Sequence, residues 1–91
     1  MAITVRIPTP LRKITNELDI VEGDGSTLSE MIEGLEAQFP GIKERLMDET
    51  GDLRRFVNVY VNGEDVRFQQ GLATSLNAGD EVSIVPAVAG G

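Results

Sequence analysis

The chain has 91 residues with no Cys, His or Trp, and its 15 acidic residues against 8 basic ones give a net charge of −7. That length holds one domain, and the missing residue types exclude disulfides, zinc sites built from Cys or His, thiol nucleophiles and imidazole bases. The acidic balance argues against nucleic acid and against an anionic membrane surface as partners, since both need a basic face, and it favours basic protein partners.

Ile3-Thr4-Val5-Arg6-Ile7 alternates apolar and polar residues and predicts a half-buried strand, which Pro8 and Pro10 stop. Met1 to Lys13 lacks the basic-then-apolar layout of a signal peptide, and no apolar run is long enough to span a membrane, so the expected compartment is the cytoplasm. Asn16 to Val21 reads as a weaker strand with Leu18 and Ile20 on one face, forming a hairpin with the first. Glu22-Gly23-Asp24-Gly25 reads as a loop. Thr27-Leu28-Ser29-Glu30 has the form of a capping box, in which Glu30 reaches back to the Thr27 amide. Leu28, Met31, Ile32, Leu35 and Phe39 then lie on one helical stripe, and Pro40-Gly41 ends the helix. Ile42 to Met47 suggests a further short helical turn with Ile42 and Leu46 inward, and Asp48 to Asp52 a polar loop.

Phe56 to Val61 is the strongest strand signal, with Val57, Val59 and Val61 on one face. Asn62-Gly63 marks a tight hairpin, with Asp65 to Phe68 as the returning strand. Leu72 to Leu76 is a short connection, Asn77 to Asp80 a turn, and Glu81 to Val85 the last strand, ended by Pro86. The single amphipathic helix must bury its stripe on the sheet, and the strands on either side of it imply a parallel pair somewhere. The expectation is an α+β, β-grasp domain over residues 1–86, a mixed sheet of four to five strands on one principal helix, followed by an extended, flexible tail over 87–91.

That tail is Ala87-Val88-Ala89-Gly90-Gly91. It holds only small side chains and follows directly on a central-looking strand. Fully extended, such a segment spans about 17 Å. A terminal glycine carboxylate has no side chain to hinder its approach to a phosphate. Activation by ATP would make it an acyl-adenylate, open to attack by a thiol, a persulfide or an amine.

With this ending, the β-grasp order resembles the ubiquitin-like sulfur carriers of the MoaD/ThiS family. The stretch Phe56 to Arg67, then Gly71-Leu72-Ala73-Thr74, Gly79-Asp80 and Val85 to Gly91, resembles most the carrier of the cysteine-synthesis branch of that family. The resemblance implies that an E1-like adenylyltransferase and sulfurtransferase uses ATP to adenylate Gly91, and that a thiocarboxylate results. Ala87, Val88, Ala89 and Gly90 would thread into the partner. It further implies an acceptor, either a pyridoxal-phosphate-dependent cysteine synthase or the large subunit of molybdopterin synthase, and in the cysteine branch a metal-dependent protease that frees the product. The carrier itself is then no enzyme and binds no cofactor. Protein modification through an isopeptide bond from Gly91, and a plain interaction domain with an inert tail, are the competing readings.

Phe56 and Tyr60 alternate with the inward valines, so with Phe68 they form a candidate docking patch; edge packing under a loop is the alternative. Arg6, Arg54, Arg55 and Arg67 read as solvated single charges rather than a basic patch. No metal site is expected: Asp24-Gly25 lacks the remaining ligand spacing of a calcium loop.

Overall fold

Ile3 and Val5 are buried while Thr4 and Arg6 face water, the alternation of a strand with one covered face. In the computed structural model, which describes residues 3–55 and 57–86, this is strand β1, Ile3–Arg6. It is followed by β2 (Ile20–Gly23), α1 (Leu28–Gln38), α2 (Ile42–Leu46), β3 (Val57–Val61), β4 (Glu64–Asp65) and β5 (Glu81–Pro86). The strands form one mixed sheet in the order β2-β1-β5-β3-β4. The parallel pair is β1 with β5, in register Val5 to Val82; the other three pairs are antiparallel. Valines 57, 59 and 61 with Val82 and Ile84 turn inward onto α1, whose stripe Leu28, Met31, Ile32 and Leu35 is buried. This is the β-grasp arrangement.

The second strand departs from the pattern read in the sequence. Residues 12–18 coil into tight turns, with Asn16 and Glu17 at φ of 56° and 66°. Thr15 is buried there, and its Oγ1 donates to the Leu18 carbonyl at 2.9 Å. Pairing therefore starts at Ile20, and Val21 with Gly23 faces the core, leaving Leu18 and Ile20 on the outside. Gly23 belongs to the strand rather than a loop; a Cβ there would stand 2.8 Å from Met31 Cγ, so α1 packs close over this edge.

Helix α1 begins at the Thr27 cap, whose Oγ1 accepts from the Glu30 amide at 3.2 Å. The reciprocal half differs from a standard capping box: Glu30 Oε1 accepts from the Ser26 amide and hydroxyl, at 2.9 and 2.7 Å, one residue earlier than expected. Phe39 stands at the end of the stripe, outside the helix and half-buried. Ile42 and Leu46 of α2 are buried, as expected of the second helical turn.

Glu36 fastens α1 to α2. Its carboxylate accepts from the amides of Gly41 and Lys43, at 3.1 and 2.9 Å, at the half-buried start of α2. The Lys43 amide foremost, then that of Gly41, holds the carboxyl below its ordinary range. A carboxyl depressed in the folded state contributes stability above the usual glutamate pKa of about 4.3 and loses it as pH falls below that value. Urea midpoints measured between pH 6 and 3 should therefore fall more steeply for the wild type than for Glu36→Gln, with the two curves converging at the acid end.

Beyond β3, Asn62 and Gly63 take φ of 52° and 88°, the primed turn their dipeptide favours. The returning strand is shorter than expected. Only Glu64–Asp65 pairs with β3, and Val66–Phe68 winds into a 3-10 turn. Asp65 starts that turn by accepting the Arg67 amide at 2.9 Å, an interaction local enough to outcompete the strand.

Candidate functional site: the root of the tail and its flanking surfaces

β5 is central, between β1 and β3, and its last residue Pro86 pairs with Val57. β5 therefore ends, at Pro86, in the middle of the sheet. The predicted tail residues Ala87, Val88, Ala89, Gly90 and Gly91 lie outside the described residues, as does Phe56. A groove of about 380 Å³ opens at the root, lined by Pro10, Leu11, Arg45, Arg54, Val57, Ile84 and Pro86.

The open face of the sheet is set by the alternation that buries the valines. Tyr60 and Asn58 on β3 are half-buried and point away from α1. Tyr60 lies opposite Ser83, which on its other side pairs with Arg6, and Arg6 pairs in turn with Ile20. Val85, opposite Asn58, is 42% exposed, and Ile20 is 44% exposed. Ile20, Tyr60 and Val85 thus give this face an apolar character. Sequence reasoning named Tyr60 and missed the other two. The alternation that sends Val82 and Ile84 inward also sends Val85 outward, so that signal was present; for Ile20 it was hidden by the misplaced start of β2.

Arg6 crosses this face to Glu81, with Nε 3.0 Å from Oε1. The hydrogen bond and charge of Glu81 raise the Arg6 pKa above its ordinary value. Arg67 is likewise no freely solvated charge. Its guanidinium donates to Asn58 Oδ1 at 2.6 Å and to the carbonyls of Val57 and Arg54, both at 2.8 Å. Arg54 Nε donates to the Glu44 carbonyl at 2.8 Å. These two arginines hold loops and a strand edge in place by capping carbonyls.

Phe68 lies in the 3-10 turn that follows β4. It is 91% exposed and lines a shallow depression with Glu64, Gln69, Gln70, Thr74 and Ser75, in which Tyr60 takes no part. Edge packing under a loop is therefore not what this ring does. In the acidic loop, Asp48 Oδ1 accepts from Thr50 Oγ1 at 2.6 Å and from the amides of Thr50 and Asp52. The Thr50 hydroxyl leads in holding the Asp48 carboxyl below its ordinary range. Among the described residues no group of three or more His, Cys, Asp or Glu is placed to hold a metal ion, and no helix is long and apolar enough to cross a membrane.

Comparison with known proteins agrees with this geometry. The ThiS family profile matches residues 5–91. The chain is 56% identical over 93 aligned positions to the sulfur carrier protein CysO of Mycobacterium tuberculosis, covering all of both chains. It is 34% identical, again over the full length of both, to small archaeal modifier protein 3 of Haloferax volcanii. A chain of the Amycolatopsis orientalis BexX/CysO complex superposes with a TM-score of 0.93 at 51% identity, covering 99% of this chain and 100% of that one. The profile spans nearly the whole chain, the relatives match from end to end, and the β-grasp topology is the same: this chain belongs to the ThiS family.

Proposed function

We propose that this chain is a sulfur carrier of cysteine biosynthesis, acting in the cytoplasm as a co-substrate rather than as an enzyme. The observation that carries the reading is the full-length 56% identity to a sulfur carrier protein, CysO. The Gly91 carboxylate attacks the α-phosphate of ATP in an E1-like activating enzyme and releases pyrophosphate. Sulfide then displaces AMP from the acyl-adenylate, the new C–S bond replacing the C–O bond to the phosphate, and leaves a thiocarboxylate on Gly91. In a pyridoxal-phosphate-dependent synthase the thiocarboxylate sulfur would bond to the β-carbon of an amino-acid substrate whose own β-leaving group departs, so that the new cysteine stays joined to the Gly91 carbonyl until a metal-dependent protease hydrolyses it free. ATP, pyridoxal phosphate and the metal are the partners' own; this chain supplies the tail and a docking surface.

Two structural features support the reading. The tail root lies at the end of the central strand, so residues 87–91 can enter a partner while the domain stays outside. The open sheet face beside it, with Tyr60, Val85 and Ile20, offers apolar area for docking. Protein modification is the second reading, favoured by the 34% identity to an archaeal modifier protein.

Intact mass of the protein isolated from its source organism separates the two. A thiocarboxylate adds about 16 Da, one oxygen replaced by sulfur, on the C-terminal peptide. An isopeptide bond between Gly91 and lysines of other proteins, with no such mass shift, would move the assignment to modification.

A further inference from the structure

Phe68 is the most exposed large apolar side chain among the described residues, in a chain with three Phe and one Tyr. Leaving such a ring in water forgoes the stabilisation that burying it would give. The backbone beneath it is firmly held. Val66, two residues earlier, is fully buried. Asp65 accepts the Arg67 amide and so starts the turn. The Arg67 side chain is bound to Asn58, Val57 and Arg54, closing the part of the β3 edge that β4 leaves unpaired. On the far side, the Gln69 amide donates to the Val66 carbonyl at 2.9 Å, and Gln69 Nε2 donates to Glu64 Oε2 at 2.6 Å. The ring thus projects from a turn whose neighbours are already ordered. Such an anchor loses little further backbone entropy on contact.

The surroundings state the chemistry of its counterpart. The depression beside the ring has a volume of about 490 Å³; Glu64 is the one charged residue lining it, with amides and hydroxyls around, and no Lys or Arg takes part. The whole chain carries a net charge of −7. An apolar knob on an acidic body complements an apolar cup with a cationic rim.

We propose that Phe68 anchors a protein-docking surface distinct from the open sheet face, and that its occupant is a partner protein presenting an apolar cup rimmed by Arg or Lys. The ring fills the cup, and a rim guanidinium lies over the ring face while pairing with Glu64. Binding energy concentrates on such aromatic anchors. The surface is independent of what Gly91 carries.

The test is site-specific photocrosslinking followed by affinity measurement. The full-length chain, carrying p-benzoylphenylalanine in place of Phe68 or, as a control, of exposed Glu49, is irradiated in its source organism, and the adduct protein is identified and purified. The expected result is an adduct from position 68 and none from position 49. Calorimetry with the purified partner should then show Phe68→Ala weakening binding by about tenfold or more. Glu64→Gln should weaken it several-fold at low salt, an effect that fades at high salt. Phe68→Ala should leave Tm unchanged, so lost binding cannot be lost folding. Absence of a position-specific adduct, or a partner whose affinity is indifferent to Phe68→Ala or to salt, overturns the proposal.

Discussion

Gly91→Phe should leave the domain folded and cut ATP–pyrophosphate exchange by the E1-like activating enzyme at least about a hundredfold. A misplacement of about 1 Å between reacting groups is enough for that loss, and a benzyl group on the reacting residue crowds the approach of the carboxylate to the α-phosphate far more. Deleting Gly90 and Gly91 should have the same effect by removing the nucleophile's reach. Folding should be untouched, because the core among the described residues is built from residues 3–84. Equal Tm values for the variant and the wild type, measured beside the exchange assay, separate the two effects. Exchange at the wild-type rate by Gly91→Phe would show that the C-terminal carboxylate is not the group activated.

The second large effect concerns a single methyl group. Gly25→Ala should destabilise the domain by about 2 kcal/mol or more, since Gly25 has a φ of +145°, a conformation L side chains rarely adopt. A Cβ there would also stand 2.8 Å from the Met31 amide nitrogen and 2.9 Å from Glu30 Cβ, contacts that involve the first turn of α1 itself. In a domain of this size that loss lowers Tm by roughly 8–16 °C. The identical substitution at Gly34 should act in the other direction. Gly34 is within α1, and a Cβ there meets only the Asp24 carbonyl at 3.4 Å. Helix propensity then gains roughly 0.5–1 kcal/mol. Thermal melts of the two variants side by side would check both signs, and a neutral Gly25→Ala would mean that the loop and helix separate freely.

Most of the architecture was legible because its signals are short in range. The alternation in Ile3 to Ile7 and Val57 to Val61, the i, i+3, i+4, i+7 stripe of α1 and the Asn62-Gly63 turn each depend on residues within a few positions of one another. Where reading failed, a local interaction competed with the pattern. Thr15 and the left-handed Asn16 and Glu17 hold residues 12–18 in turns and delay β2 to Ile20. Asp65 caps the Arg67 amide and ends β4 after Asp65. Glu30 turned to Ser26 because both the amide and the hydroxyl of Ser26 are available to it.

The site divides along the same line. The residue order alone determined the Gly-Gly ending, the strand that leads into it, the inward valines, and hence the outward direction of Tyr60. Only the tertiary structure decided that β5 pairs in parallel with β1, that Arg67 seals a strand edge, that Glu36 caps α2, and that Phe68 is left almost fully exposed. The physical reason is that a strand's or helix's covered face follows from its own periodicity. The partner of a charge or of an aromatic ring depends instead on which distant segments the fold brings beside it.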